Sequence, residues 1–346
     1  MYSVEYIQMD PEAYVSPRVE DLTKRADEVY DVAPGVSNSF STWSALKLIL
    51  HSASINMYTT VMSHQPIQDT YYIDALAGSG VSEYEDGEYF LGSALIACRA
   101  AKEPFSKMYF IEGDSDRCEA LRQRLEYVFE LSGFTRPSNY EVIHGDANEE
   151  IPEVTQNIYE RSSFDDGFNY FTFIDNQGMD VEWDAIEELT PTPQGDLLVN
   201  LPIAQAVGRN VGTGAANRFY GTDTGSYTKL DSTRKQLREL YQRRLGGQGR
   251  EVQTSTKVQA DPGSYYYDLI YATRKIEGGN DYMEVIEYVK DMVEDMHSGN
   301  VDVILDVIRG NQSQLKQYLP DEAPEGNELM EEATESDTDQ SSLSDY

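Results

Sequence analysis

Residues 71–80 read YYIDALAGSG: a short apolar run closes on Asp74 and breaks into Ala77, Gly78, Ser79 and Gly80. A buried parallel strand hands over in this way to a turn whose backbone can approach a ligand. Such a turn offers unpaired backbone N–H groups at the strand's carboxyl end, where open α/β sheets bind ligands. A purely structural turn is the competing reading.

Two familiar phosphate cradles do not fit. The dinucleotide fingerprint needs G-x-G-x-x-G opening into a helix, and the P-loop needs G-x-x-x-x-G-K-[ST]; here the acidic stretch 82–88 follows the glycines. An acidic loop beside the turn repels a pyrophosphate and suits a ligand without phosphates, such as the sulfonium cofactor S-adenosylmethionine.

The 346 residues suffice for one large or two modest domains, and a hydrophobic content of 40% is that of a globular chain. No run reaches the roughly 18 apolar residues of a membrane span, and residues 1–20 lack a basic start and an apolar core. A cytoplasmic location and no membrane partner are expected. Cys98 and Cys118 fall in helix-like contexts, and His51, His64, His144 and His297 show no ligand spacing, so neither a disulfide framework nor a metal site is expected. The formal charge of -34 leaves a surface that repels itself unless ions screen it, with a Debye length of about 3 Å at 1 M salt. That composition suits a salt-adapted cytoplasm such as that of halophilic archaea, and argues against loose nucleic-acid binding.

Residues 1–39 are polar with prolines at 11, 17 and 34, which predicts an irregular arm. A helix capped by Asn38, Ser39, Ser41 or Thr42 runs to about Ser63, with Trp43, Leu46, Ile49 and Leu50 as an apolar stripe. A small-residue helix follows from Ala94 to Ala101. The segment 107–112, KMYFIE, is a second strand ending in Glu112, placed to accept both hydroxyls of a ribose or else to serve the cap of the helix 116–131. A third strand, 140–144, runs into Gly145, Asp146, Ala147 and Asn148, where Asp146 either accepts from an adenine amino group or caps the next helix. The most apolar strand, 168–174, ends in Asp175, Asn176, Gln177 and Gly178, the polar groups at which a substrate would meet the cofactor. Trp183 lies in the helix 182–189, and DLLVNL over 196–201 is a fifth strand. Five strands alternating with helices predict a doubly wound α/β sheet.

Residues 208–229 are rich in Gly, Thr and Asn and carry Phe219, Tyr220 and Tyr227; they are expected to form a substrate lid or a linker. Over 229–257 there are eight basic residues, Arg238, Arg243 and Arg244 among them, against three acids. That patch suits a phosphate backbone or, alternatively, is a helix face paired with acidic neighbours. Segments 251–258 and 265–274 alternate and flank Asp261, Pro262 and Gly263, as an antiparallel hairpin added to the sheet edge would. Helices are expected over 281–296 and 301–318, and a disordered tail over 320–346, which holds ten acids and no base.

Taken together the chain resembles the class I S-adenosylmethionine-dependent methyltransferases, and more narrowly the three-Cys-motif partner protein family. The resemblance rests on WSALKLIL (43–50), IDALAGSG (73–80), GSALIA (92–97), FIEGD (110–114), GDAN (145–148), FIDNQG (173–178) and DLLVN (196–200). It implies a Rossmann-like methyltransferase domain over 40–319, with 208–257 as a lid-and-basic-helix insertion. It implies further that Asp74, Ala77, Gly78, Ser79 and Gly80 shape the methionine side of the cofactor site, that Glu112 takes the ribose, and that Asp146 and Ala147 take the adenine. The chain departs from the [DNS]-P-P-[YFW] pattern of amino-methylating enzymes: Asp175 is kept, but Asn176 and Gln177 replace the prolines and Gly178 the aromatic.

Two functions of different class follow. In the first, Asp175, Asn176 and Gln177 orient an amine or hydroxyl about 3 to 3.5 Å from a transferable methyl, while Phe219 and Tyr220 hold a base and Arg238, Arg243 and Arg244 hold a nucleic-acid backbone. In the second, implied by the family resemblance, the chain keeps the cofactor fold without turnover and works with a radical-SAM-like companion protein. Methylation of a small molecule is a third reading, in which those arginines are dispensable.

Overall fold

The computed structural model describes residues 10–84, 87–161, 167–191, 194–229, 233–259, 266–277 and 279–308. Order begins earlier than the prolines suggest. Asp10 caps the helix Pro11–Thr23 (α1) by accepting from the Glu12 N–H, and Pro11 stands in the first turn, where a missing N–H leaves no bond unmade. Pro17 lies inside α1, yet Val15, Val19 and Leu22 bury one face of it. The helix Ala26–Tyr30 (α2) and a two-residue strand, Asn38–Ser39 (β1), follow. The irregular arm expected over 1–39 is thus replaced, in its described part, by packed elements, because burial of an apolar face outweighs one interior proline.

Thr42–Ser63 (α3) starts one residue after Ser41 and is buried on most sides, including at Lys47 and His51. The strand Asp69–Asp74 (β2) comes next, and the acidic segment taken for a loop forms the strands Val81–Tyr84 (β3) and Glu88–Leu91 (β4). β3 runs parallel to β1 and antiparallel to β4, making a small second sheet. The chain then alternates through Ser93–Ala100 (α4), Lys107–Glu112 (β5), Ser115–Val128 (α5), Tyr140–His144 (β6), Ala147–Arg161 (α6), Phe168–Ile174 (β7), Trp183–Leu189 (α7) and Asp196–Leu201 (β8).

A π-helical stretch, Ile203–Val207, leads into Gly208–Asn210 (α8), Gly214–Tyr220 (α9), a 3-10 turn and Thr233–Gly247 (α10). Val252–Gln259 (β9), Tyr266–Thr273 (β10), Met283–Glu294 (α11) and Ser298–Ile308 (α12) complete the order. The turn called at 261–263, the continuation of the last helix to 318 and the acidic tail at 320–346 lie outside the described residues. None of the described helices is long and apolar enough to cross a membrane.

The main sheet has the order β6-β5-β2-β7-β8-β10-β9. Its first five strands are parallel, and β10 joins β8 antiparallel with Ile270 opposite Val199, so the expected hairpin sits at that edge. Strand alternation divides the core in two. Tyr72, Phe171 and Phe173 face the layer built on α3, α4 and α5, whereas Tyr71, Ile73, Tyr170 and Ile174 face α6, α7, α9 and α10.

Arg124 on α5 ties the N-terminal arm to this frame. Its fully buried guanidinium donates to the carbonyls of Ser79 (2.8 Å), Val29 (3.2 Å), Ala33 (2.9 Å) and Val36 (2.7 Å). Burial lowers its pKa to about 10, so the side chain is charged at neutral pH. Removing these donors strands buried acceptors at about 1–3 kcal/mol each. Arg124→Met should lower stability in molar KCl by about 3 kcal/mol or more, read from the denaturation midpoint, and should speed tryptic cleavage at Lys24 and Arg25.

Candidate functional site

In chain order the sheet grows from β2 to β5 and β6 on one side, then restarts at β7 and β8 on the other. The order therefore reverses between β2 and β7, and the crevice at the carboxyl ends of two such strands is where open α/β sheets hold ligands. Asp74 closes β2 and Asp175 follows β7 directly, and the Ala75 N–H donates across to the Phe173 carbonyl at 3.0 Å. Two acids thus flank the switch point.

Lys47 enters the same place from α3. Its Nζ lies 2.6 Å from Asp175 Oδ2, with only 7% of the lysine side chain and 15% of the aspartate exposed. The other carboxylate oxygen, Oδ1, accepts from Asn200 Nδ2 at 3.0 Å, and the same amide nitrogen donates to the Asn176 carbonyl at 2.8 Å. The Tyr267 ring stands 5.8 Å from Lys47 Nζ. An ion pair this sheltered persists only when further hydrogen bonds compensate for lost water, and Asn200 supplies one.

The glycine turn is closed on itself. The Ala77 N–H donates to the Ile111 carbonyl (2.8 Å), the Gly78 N–H to Glu112 Oε2 (2.9 Å) and the Ser79 N–H to Asn38 Oδ1 (3.3 Å). The free N–H groups anticipated from sequence are therefore partnered at these three positions. Gly78 has φ +64 and a Cβ there would overlap the Asn38 side chain; a Cβ on Gly80 would press on Leu121 and Leu95. The Ser79 hydroxyl points inward, to the Val81 carbonyl at 2.8 Å. Glu112 is half-buried, and its Oε1 accepts from the Asp114 N–H at 2.9 Å. Each of its oxygens keeps a second lone pair for a ligand hydroxyl.

Asp146 stands beyond β6, exposed, and its Oδ1 accepts from the backbone and side chain of Asn148 at the start of α6, which is the capping role; Ala147 is buried. Asn148 in turn accepts from the Glu182 N–H and donates to the Asp180 carbonyl, fixing the loop after β7. In that loop the three residues expected to act together diverge. Asn176 is fully buried, donating to the Asn200 carbonyl (3.0 Å) and accepting from the Val181 N–H (3.0 Å), so it builds the strand end and does not face a substrate. Gln177 is exposed and its backbone is held by Asp180 at 2.7 Å. Asp175 is the member that meets the crevice.

No family model and no curated protein matches the chain. Among solved structures it is similar to a Legionella pneumophila protein of family DUF519, with 10% identity over 72% of this chain and 92% of that one and a TM-score of 0.46. Pyrococcus horikoshii Trm1 with S-adenosyl-L-methionine gives 15% identity over 66% of this chain and 55% of that one, TM-score 0.36. A Bacillus cereus O-methyltransferase in complex with SAH gives 15% identity over 74% and 100%, TM-score 0.34.

The proposed substrate wall is elsewhere. Phe219 and Tyr220 are fully buried and pack on Tyr241 with ring centroids at 5.5 and 5.8 Å, so they are core residues that cannot stack a base. The loop containing them is largely helical, as α8 and α9. Arg238 pairs with buried Asp268 at 3.0 Å, Arg244 with Glu187 at 3.0 Å while its guanidinium covers Trp183, and Arg243 reaches the Tyr227 hydroxyl at 3.4 Å. The basic helix is thus largely engaged with its own protein. Lys47, Asn200 and Asn38, by contrast, were not singled out from sequence as site residues.

Below the turn, the Tyr72 hydroxyl donates to Asp74 Oδ2 at 3.2 Å and meets His51 Nε2 at 3.1 Å. Because Tyr72 gives its proton to Asp74, His51 Nε2 carries the hydrogen. Burial and the charge of Lys47 hold the His51 pKa near 3, so the imidazole is neutral. Asp74 is fully buried, and its Oδ1 has no hydrogen-bond partner among the described residues. Burial, opposed by Ser93 and reinforced by the Asp175 charge, raises its pKa from 3.8 to about 7.

For an acid whose folded pKa is raised, the native state holds more protons than the unfolded one between the two values. Stability therefore falls as pH rises from 3.8 to about 7, and the whole penalty stands above 7. Asp74→Asn should match the wild type near pH 4 and exceed it at pH 8, by up to about 4 kcal/mol, in thermal unfolding followed at both pH values.

Proposed function

We propose that this chain transfers a methyl group from S-adenosylmethionine to an acceptor held beside Lys47 and Asp175. The observation that carries the reading is the sheltered Lys47–Asp175 pair at the point where the strand order reverses, one strand from the glycine turn. The fit to the cofactor rests on the same crevice: Gly78 admits no side chain, Glu112 stands one strand over with lone pairs to spare, and Asp74 keeps a buried oxygen without a partner. When bound, the cofactor supplies an electrophilic methyl group on a sulfonium.

The protein's own residues do the rest. Glu112 takes the ribose hydroxyls, Asp146 and Ala147 border the adenine, and Asp74 opposes the positive charge of the methionine end. Asp175 orients the acceptor, held in place by Lys47 and Asn200. The ordered motif series supports membership of the three-Cys-motif partner family. Action on nucleic acid loses the support first drawn from Phe219, Tyr220 and the arginines of α10, which are buried or paired.

The second reading, a SAM-binding or partner subunit without turnover that serves a radical-SAM-like companion, is favoured by one observation: Asn176 is spent on structure where a catalytic side chain was expected. Calorimetric titration with SAH and with S-adenosylmethionine in molar KCl tests the cofactor site. Micromolar binding is expected, weakened about tenfold or more in Glu112→Ala, since two charge-assisted hydrogen bonds are lost. A folded protein that binds neither ligand would end the methyl-transfer reading and favour the partner subunit that keeps the fold without the cofactor.

A further inference from the structure

We infer that the methyl acceptor is an oxygen, and that Lys47 is the residue that selects it; the inference rests on the proposed methyl transfer. Lys47 is a donor without lone pairs, and it sits within the crevice at 2.6 Å from Asp175. Both Asp175 oxygens already accept, Oδ2 from Lys47 and Oδ1 from Asn200, and the Asn176 side chain is turned away into its bonds with Val181 and Asn200. A site that methylates an amine needs acceptors for the amine's hydrogens. Here Asp175 keeps one lone pair on each oxygen, enough to take a single hydroxyl proton, and the group added beside it is an ammonium that can only donate.

Lone pairs decide the matter. A hydroxyl oxygen has two: one attacks the methyl carbon and the second accepts from Lys47. An amine nitrogen has one, and once it is aimed at the methyl the Lys47 N–H is left facing N–H. In the transfer the oxygen forms its bond to the methyl carbon while the carbon–sulfur bond breaks and its electron pair returns to sulfur. The hydroxyl proton passes to the Asp175 carboxylate and then to solvent. The Lys47 side chain, donating to the oxygen, balances the negative charge that grows there, an effect worth roughly 10²- to 10³-fold for a single well-placed donor.

The test uses the full-length protein in molar KCl, cofactor carrying a CD3 methyl, and two probes: a metabolite extract and total RNA, both from cells lacking the protein. Mass spectrometry of the products is expected to place the label on oxygen. Lys47→Met should lower the rate at saturating cofactor roughly 10²-fold, with calorimetric SAH affinity used to set saturation for each variant. Its pH–rate profile should move to higher pH, because the hydroxyl must then ionise without the ammonium, whereas Lys47→Arg should restore part of the rate and the original profile. Label on nitrogen or carbon, or a Lys47→Met rate equal to wild type, overturns the inference. Absence of label from both probes, with SAH binding intact, ends the methyl-transfer reading itself and this inference with it.

Discussion

The ion pair between Lys47 and Asp175 is the contact on which the arrangement of the crevice depends. Taking two charges nearly out of water costs several kcal/mol per ion, and the pair returns that only with good geometry and with its other lone pairs occupied. Asn200 meets the second condition: it reaches across from β8 to Asp175 and to the backbone of Asn176. Asn176 then accepts from Val181 and so sets the start of α7. One buried lysine on α3 thereby fixes the carboxyl ends of two strands and the entry of a helix. Losing either partner would leave a charge in the protein without its counterion, so the pair is held by what its absence would cost.

The other side of the crevice is held by a cation that has no carboxylate partner among the described residues. Arg124 has backbone carbonyls for partners, and those carbonyls belong to the arm and to Ser79 in the glycine turn. The arm in turn lays Asn38 on Gly78 and pairs β1 with β3. The backbone geometry of the turn is therefore set from outside by a segment more than thirty residues upstream. Stacking of Phe40 on Phe90 at 3.9 Å and of Tyr30 on Tyr89 at 3.7 Å closes this layer over it. The turn is preorganised by its surroundings as well as by its glycines.

Much of this fold was legible because parallel strands buried on both faces read as apolar runs, and each run here ends in a short polar signature. Asp74, Glu112 and Asp175 stand at strand ends for that reason. What the sequence could not separate was which way a strand-end side chain turns. Asn176 and Asp175 are adjacent and both polar, yet one faces the crevice and the other faces α7. Phe219 and Tyr220 misled because their neighbours are Gly, Thr and Asn, while the ring that packs on both, Tyr241, lies further along the chain on α10. Lys47 left a signal that periodicity hides: a lone cation inside the apolar run ALKLIL, on a helix with no solvent face at that level. A charge at a buried position of a helix needs a partner, and that question leads to Asp175.

Burial, reinforced by a neighbouring charge, accounts for the unusual state of Asp74. Asp74 and Asp175 flank the crevice, where Lys47 is the balancing cation among the described residues and is already committed to Asp175. Burial raises the Asp74 pKa to about 7, and the neighbouring Asp175 charge adds to that rise. Under the proposed function a positive sulfonium brought to that crevice opposes the rise and favours ionised Asp74, whereas the neutral thioether left after transfer does not. Binding of the charged form is thus opposed by protonation of Asp74 below about pH 7, and the product loses the attraction that brought the substrate in. The buried carboxylate of Asp74, which costs the free protein stability above about pH 7, would thus supply the difference in affinity between the two forms.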